Sequence, residues 1–216
     1  MRTNHPSCQS RALSFGLLAL LWLPTVARSQ VALERDGNIF LRDGGHEQQL
    51  TFSHSDHQPF LAVGCASVFF VHDLEPPQDP KFTSDHTEIW STSMRSPGTA
   101  KPVYRGPFRW GRVAFTEFWH PEASGDCRQV YFMTNFAAVT PAVVRFDRTT
   151  DTVSLVVACL HYSVLSAGQF RDDLLIQQRR SAGPVGYDEI WLVVTSDGKE
   201  IKVFGKQRPP EADASE

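Results

Sequence analysis

The chain contains Glu189-Ile-Trp-Leu-Val-Val-Thr-Ser-Asp-Gly-Lys-Glu-Ile-Lys-Val-Phe204, in which two apolar runs flank an Asp-Gly turn. Weaker copies of this stretch occur at three earlier places. The triplet Glu88-Ile89-Trp90 repeats its first three residues, and Ile39-Phe40 lies 50 residues before Ile89. Repetition at such intervals indicates a protein that is built from similar structural units.

Short apolar or alternating runs, rich in Val, Ile, Phe, Trp and Tyr, fill most of the remaining sequence, and Gly, Pro, Asp and Ser separate them. Helical spacing of apolar residues is almost absent. This pattern is typical of an all-β protein. The runs pair into seven hairpins, alternately less apolar (outer) and more apolar (inner): residues 38–42 with 48–52, 57–63 with 67–71, 88–92 with 101–104, 113–119 with 129–133, 143–147 with 153–157, 163–167 with 174–178, and the two halves of 189–204.

The outer and inner hairpins alternate with a period of about 50 residues. A repeat of ~40 to 50 residues with four strands is typical of a β-propeller blade, whose sheet is apolar on both faces and is stable only between neighbours. Fourteen strands make three and a half blades, whereas a closed propeller needs at least four. We therefore expect an open array, a ring that two chains close together, or a circle that an irregular element completes.

The hairpins resemble the TolB-like β-propeller repeat, a WD-like repeat. The second half of that repeat is similar to Ile39-Phe-Leu-Arg-Asp-Gly-Gly-His-Glu-Gln-Gln-Leu-Thr51 and to residues 189–204. The first half is similar to Pro59-Phe-Leu-Ala-Val-Gly-Cys65 and to Phe118-Trp-His-Pro121 followed by Gly125-Asp126, although His120 replaces the Ser of the repeat. The resemblance covers nearly all of residues 36–205 and implies a TolB-like array of four-stranded blades, either incomplete or closed by self-association.

The first 29 residues have the features of a secretory signal peptide, with an uncleaved membrane anchor as the alternative. Basic residues precede a short apolar run, and a small-residue exit follows at Ala27-Arg28-Ser29. We predict a signal peptide at residues 1–29, a β-propeller-like domain at residues 30–206, and a polar, proline-containing and disordered tail at residues 207–216.

The charge of the chain argues against nucleic acid as a partner. The formal net charge is −3, signal cleavage would remove three arginines and no acidic residue, and no cluster of Lys and Arg provides the basic face that phosphate binding requires. No later stretch is apolar enough to span a membrane. We therefore expect a secreted or periplasmic protein that has no membrane span after cleavage.

Three cysteines remain after the predicted signal peptide: Cys65, Cys127 and Cys159. Their number is odd and their spacing is wide, so they form neither a complete disulfide framework within one chain nor a zinc motif. One bridge with a free thiol and three buried thiols are both open, and we favour three thiols buried in the β core.

The densest polar cluster is Ser53-His54-Ser55-Asp56-His57, at the entry to an inner strand. In a propeller, such a loop opens onto one mouth of the central channel. His54 and His57 could bind a divalent cation there, with Asp56 adding an oxygen. We favour the alternative, in which Ser55 and Asp56 cap a turn, the imidazoles are solvated and no cofactor is bound.

His120 occupies the inner-strand position that corresponds to His57 in the next blade. If both side chains face the channel with Glu117, they could form a metal or carbohydrate site, but a one-residue slip of register would turn His120 outward. Trp110, in the loop of residues 107–111, is predicted to be exposed and to contact a partner.

Two other tryptophans, Trp90 and Trp191, lie at matching positions of the repeat. We expect both to pack between blades, because aromatic side chains contribute large apolar areas to such interfaces.

The sequence contains neither a nucleophile-elbow motif nor a phosphate-binding glycine motif. We therefore hypothesise an exported interaction module of the cell envelope or periplasm, which presents loops to a protein or cell-envelope ligand. Exposed edge strands also predict a homo-oligomer. The alternative is a small carbohydrate-active hydrolase or lyase that uses His57, Glu117 and His120.

The acidic residues of the inner elements are further candidates for the paired carboxylates of a glycoside hydrolase. They are Asp56, Glu117 and either Asp172 or Asp173. Their spacing is unconstrained, so we favour roles in solubility and turn formation.

Overall fold

A computed structural model of the chain describes residues 30–74, 86–137, 140–181 and 186–207. The predicted signal peptide and residues 208–216 of the predicted tail lie outside the described residues. Gln207, the first residue of that predicted tail, instead ends the last strand. Within the described ranges, no helix is long and apolar enough to cross a membrane.

The described residues form seventeen strands and two single 3-10 turns, Val63–Cys65 and Gly168–Phe170. All strand pairings are antiparallel. The strands are β1 Gln30–Arg35, β2 Asn38–Asp43, β3 His46–Gln49, β4 Asp56–Ala62, β5 Ser67–Asp73, β6 Thr87–Ser93, β7 Ser96–Tyr104, β8 Phe108–Trp110, β9 Val113–Phe115, β10 Phe118–Ala123, β11 Gln129–Ala137, β12 Thr140–Asp147, β13 Thr152–Ala158, β14 His161–Val164, β15 Leu174–Ser181, β16 Tyr187–Val194 and β17 Glu200–Gln207.

The strands form four main sheets in chain order. Sheet I is β1-β2-β3, sheet II is β4-β5-β6-β7, sheet III is β10-β11-β12-β13 and sheet IV is β14-β15-β16-β17. The chain is therefore all-β with several four-stranded antiparallel sheets, an arrangement consistent with propeller-like blades. Each four-stranded sheet joins one predicted inner hairpin to the outer hairpin that follows it. The described strands form no closed propeller.

Two parts of the fold differ from the predicted fourteen strands. Sheet I has an additional strand, β1, which makes it three-stranded, and β8 pairs with β9 in a separate hairpin. The predicted strand at residues 113–119 is consequently split between β9 and β10. The split has a local cause, because the main-chain oxygen of Thr116 accepts a hydrogen bond from the backbone N–H of Thr87 in sheet II, at 3.0 Å.

Three apolar clusters hold successive sheets together. Ile39, Leu41 and Leu50 of the sheet I region pack on Val68 and Phe70 of sheet II. The other face of sheet II packs on sheet III, and the other face of sheet III packs on sheet IV. Sheets II and III therefore bury both faces, as the alternation of apolar residues requires.

A disulfide joins sheets II and III, between Cys65 and Cys127, whereas Cys159 is a buried free thiol. The expectation of three buried thiols is therefore wrong, and the open alternative of one bridge is confirmed. The turns that carry the bridged cysteines come very close. A Cβ atom on Gly64 would lie 2.2 Å from the main-chain oxygen of Gly125, so only glycine fits at position 64 without displacement of the backbone.

Candidate functional site

The first strands of sheets II and III, β4 and β10, carry matching β-bulges. In β4 the pairing with β5 skips from His57 to Phe60, and in β10 the pairing with β11 skips from Trp119 to Glu122. Each bulge places one non-glycine residue at positive φ, Gln58 at 51° and His120 at 53°.

The residue that corresponds to His120 is therefore Gln58, and His57 corresponds to Trp119. The expected equivalence of His57 and His120 is wrong by one position. The bulges do not cause this offset, because both strands carry the same extra residue; Pro59 and Pro121, which follow Gln58 and His120, align the two strands correctly.

The two bulges are linked to their neighbours by a series of hydrogen bonds that runs from sheet I to sheet III. The carboxylate of Glu34 in β1 accepts the backbone N–H of Gln58 at 3.1 Å. The side-chain oxygen of Gln58 accepts the backbone N–H of His120 at 2.7 Å. A bulge leaves such N–H groups without a partner in their own sheet, so a side chain of the preceding sheet supplies the acceptor.

The same arrangement continues into sheet IV. The buried carboxylate of Glu122 accepts the backbone N–H of Val164 at 2.6 Å and the hydroxyl of Ser163 at 3.3 Å. The hydroxyl of Tyr162 donates to the main-chain oxygen of His120. We call Glu34, Gln58, His120, Glu122 and Tyr162 the bulge network. It joins all four sheets at their first strands, β1, β4, β10 and β14.

His120 is the exposed imidazole of the bulge network, in which the exposed Glu34 is a second ionisable group. Its Nε2 lies 3.3 Å from Oε1 of Glu122, and its side chain is 54% exposed whereas that of Glu122 is 8% exposed. The hydrogen bond to Glu122 raises the pKa of His120, and partial burial opposes this effect. The Tyr162 ring meets the imidazole edge-to-face at 5.4 Å. An imidazole that a carboxylate orients in this way can take up and release a proton.

The predicted cluster before β4 is a structural turn. His54 has a φ of 61°, and its backbone N–H donates to the side-chain oxygen of Asn38 at 3.1 Å. Its Nδ1 lies 3.0 Å from Nδ2 of Asn38. His54 therefore connects the loop to sheet I and does not meet His57.

Asp56 is buried at 2% exposure and faces His72, whose Nδ1 lies 2.6 Å from Oδ1 of Asp56. The His72 ring packs 4.4 Å from the ring of Trp90, and the indole N–H of Trp90 donates to Glu88 at 2.8 Å. His72 was missed in the sequence. Regular counting along the hairpin would have paired Asp56 with Asp73, and the bulge between His57 and Phe60 places His72 opposite Asp56 instead.

His57 and Glu117 have other partners and do not join His120. His57 lies 3.5 Å from the carboxylate of Asp73. The carboxylate of Glu117 accepts a hydrogen bond from Asn135 at 2.6 Å. Among the hydrogen bonds and ion pairs of the described residues, none connects any two of His57, Glu117 and His120.

Asp172 and Asp173 do not form a catalytic carboxylate pair with Asp56 or Glu117. They line a polar cavity of about 350 Å³ between sheets III and IV, which neither of the other two acids reaches. Asp172 accepts the backbone N–H of Gly125 at 2.6 Å. Burial and the neighbouring Asp172 raise the pKa of Asp173.

The possible cation site is not assembled in the part of the chain that the structure describes. No group of three or more His, Cys, Asp or Glu side chains in residues 30–74, 86–137, 140–181 and 186–207 is placed to hold a metal ion.

The two tryptophans of the repeated triplet lie on opposite sides of their sheets. Trp90 packs in the cluster between sheets I and II, facing the preceding sheet. Trp191 faces away from sheet III, because its neighbours Ile190 and Leu192 fill the cluster between sheets III and IV. The expectation that both pack between sheets therefore holds for Trp90 and is wrong for Trp191.

Trp191 lines an apolar groove of about 600 Å³ on the free face of sheet IV. We call this surface the open face; it consists of Leu165, Phe170, Leu175, Trp191, Val193 and Phe204. Phe204 is 51% exposed. The amino-acid alternation in β15 and β16 could have indicated this surface. Val193 at its base is fully buried, and Leu165, Phe170, Leu175 and Trp191 are half-buried, so Phe204 is its most exposed member.

Trp110 is 53% exposed, as predicted, but lies in β8 and not in a loop. It is directly opposite Val113 of β9, which is 54% exposed. The two residues form the tip of the β8–β9 hairpin.

No protein-family model and no curated protein matches the chain. Solved structures that are similar to it include the following two, both at low identity. A Mycobacterium tuberculosis puromycin-hydrolyzing peptidase aligns with a TM-score of 0.47 and 14% identity, over 85% of this chain and 31% of the peptidase. TolB from Acinetobacter baumannii aligns with a TM-score of 0.35 and 11% identity, over 76% of this chain and 47% of TolB. The chain thus spans less than half the length of either protein, and at these TM-scores the similarities carry no argument about fold or activity.

Proposed function

We propose that the chain is an exported interaction module, made of TolB-like propeller blades, that binds a protein of the cell envelope or periplasm through its open face. The observation that carries this proposal is the apolar groove on sheet IV. An apolar groove with an exposed aromatic residue at its border is a candidate site for a protein partner.

The interior interfaces of the same chain support this role for the open face. Sheets II and III each bury two apolar faces against neighbouring sheets. The open face has the same composition, with Leu175, Trp191 and Val193 alternating with residues that pack on sheet III. A partner that presents an apolar sheet would complete the packing that every interior face already has.

The disulfide supports export. Cys65 and Cys127 are bridged across two sheets, and structural disulfides form and persist mainly in oxidising compartments such as the periplasm and the extracellular space. The N-terminal features of a signal peptide agree with this localisation.

A second copy of the chain is one protein that would fit the open face. Two identical apolar faces can pair about a two-fold axis, which is the commonest symmetry of soluble oligomers. Pairing along the free edge of β17 is less favourable, because the β16–β17 ladder has two register shifts and β17 carries Lys202 on its edge.

Site-specific photo-crosslinking in intact cells tests the proposal. A photoreactive phenylalanine analogue at position 204 should form a defined adduct with a partner, since Phe204 borders the groove. The matched control is position 52, because Phe52 is 58% exposed and lies outside the open face. An adduct of twice the mass of the chain would identify a second copy. Identical patterns from both positions, or no adduct at position 204, would contradict the proposal.

The second candidate function is a small carbohydrate-active hydrolase or lyase, with a binding site at the inner strands. The observation that favours it is the His120–Glu122 pair, in which a buried carboxylate orients an exposed imidazole. His57 and Glu117 have no part in this version.

Product release from cell-envelope oligosaccharides by the purified protein would test this candidate. Activity should disappear in His120→Gln and in Glu122→Gln but persist in His57→Gln. Equal activity in all three variants would show that the His120–Glu122 pair does not carry the reaction.

A further inference from the structure

A second surface with its own chemistry lies at the β8–β9 hairpin, on a different part of the molecule from the open face. The hairpin has one apolar side. Phe108 is opposite Phe115 and Trp110 is opposite Val113, so these four side chains share one face, whereas Arg109 and Ala114 lie on the other. The apolar side runs from the buried Phe108 to the exposed tip.

The hairpin is fixed firmly to the body of the protein. Phe108 is 2% exposed and belongs to the cluster between sheets II and III. Its ring lies 5.9 Å from that of Phe115, which lies 6.0 Å from Phe136. The Trp110 ring meets Phe136 edge-to-face at 5.9 Å. The exposed tip is therefore held in position by a continuous series of aromatic contacts.

Positive charge surrounds the tip although the protein as a whole is acidic. Arg109 and Arg112 are exposed, and the stretch from residue 106 to 116 contains no acidic side chain. Neither arginine forms an ion pair with any of the described residues. The formal net charge of the whole chain is −3, so this local excess does not follow from composition.

We propose that the β8–β9 hairpin docks the protein onto an anionic lipid surface. Trp110 and Val113 would enter the headgroup region, where tryptophan side chains are favoured. Arg109, on the other face, and Arg112, in the turn, would contact the negatively charged headgroups around the tip. A convex tip with an apolar end and basic flanks suits an interface of this kind, whereas a small ligand needs a concave site.

Vesicle co-sedimentation with the purified full chain tests the proposal. The protein should bind vesicles that contain phosphatidylglycerol and should not bind vesicles of phosphatidylcholine alone. Arg109→Gln/Arg112→Gln should weaken binding on the order of 25-fold at low salt, since each basic residue near an anionic surface contributes about a fivefold change in affinity. The control with the same charge change is Arg179→Gln/Arg180→Gln on sheet IV, which should bind as the unmodified protein does.

Depth-dependent quenching reports on the tip itself. Lipids with a quencher near the headgroup should reduce the tryptophan fluorescence of the protein through Trp110. Trp110→Phe keeps an aromatic ring at the tip but should lose this decrease in fluorescence. Circular dichroism establishes that each variant is folded.

Two results would overturn the proposal. One is equal binding to phosphatidylglycerol vesicles by both arginine double variants. The other concerns polyglutamate, a soluble acidic polymer. If Arg109→Gln/Arg112→Gln bound vesicles as tightly as the unmodified protein but no longer bound polyglutamate, the hairpin would be assigned to an acidic macromolecule.

Discussion

His120 illustrates how one side chain of the bulge network responds to pH. Its pKa in the folded protein is raised above the ordinary value of 6.5, chiefly by Glu122. The charged imidazole therefore stabilises the fold fully below about pH 6.5, and this contribution is lost as the pH rises through the raised pKa. The unfolded protein, with its lower pKa, releases the proton first.

Glu122→Gln should lower the pKa of His120 and remove this pH dependence. The amide oxygen of glutamine can still accept the N–H of Val164, so the contact with sheet IV is retained. NMR titration of the imidazole measures the pKa, and denaturant unfolding at pH values from about 6 to 8 measures stability. An unchanged titration of His120 in the variant would show that Glu122 does not control it.

Gln58→Ala should destabilise the protein by about 1 kcal/mol, because it removes the acceptor for the backbone N–H of His120. The bond is exposed, so water partly replaces the lost partner. Denaturant unfolding measures the change. Gln48→Ala, at an exposed glutamine of β3, is the control and should have little effect. Equal losses in both variants would contradict the proposed link between sheets II and III.

At the scale of the elements, the disulfide connects two neighbouring four-stranded sheets. Cys65 and Cys127 are 62 residues apart in sequence. Closing a loop of that length in the unfolded chain contributes about 4 kcal/mol by the loop-entropy relation. Cys65→Ala/Cys127→Ala should therefore reduce the free energy of unfolding by up to about that amount.

A reducing agent provides the matched control for this prediction. It should destabilise the unmodified protein and Cys159→Ala to a similar extent, since Cys159 is a free thiol, but should leave the double variant unaffected. If the reducing agent also destabilised the double variant, the loss could not come from the Cys65–Cys127 bridge.

The strands were predictable from the sequence because they obey a simple period. Alternating apolar residues between turn residues marked both hairpins of each four-stranded sheet, and Ile39, Ile89 and Val143 are buried as that pattern requires. The bulges were not predictable in this way. Gln58 and His120 break the two-residue period, and their positive φ depends on acceptors that come from other sheets.

The candidate site was predictable only in part for the same reason. His120 was identified, but its partners Gln58 and Glu122 follow from the bulges and from sheet packing. The disulfide likewise depends on two turns in different repeats approaching each other, which no local pattern encodes. The Asp56–His72 pair has the same cause, because counting along a regular β4–β5 hairpin would have paired Asp56 with Asp73.

For the whole molecule, the open face predicts how the protein associates. If a second copy covers the groove, the unmodified protein is a dimer, and Trp191→Ser should weaken it because a polar side chain replaces a large apolar contact. Size-exclusion chromatography with light scattering should then show a lower molecular mass for the variant. Trp110→Ser is the control for loss of an exposed tryptophan and should leave the mass unchanged. A single-chain mass for the unmodified protein at high concentration would exclude the second copy and leave a different protein as the partner.

Sheets I and IV, at the two ends of the series, differ in the chemistry of their outer faces. On the outer side of sheet I, Glu47 bonds Arg35 at 2.8 Å and Arg42 at 2.9 Å, and Arg35 covers the ring of Phe40. Charged residues therefore cover much of that end, beside the exposed Val31, whereas sheet IV ends in apolar side chains. An engineer who wished to lengthen this protein by grafting extra repeats would find an apolar face to pack them on after β17 and a largely charged surface before β1.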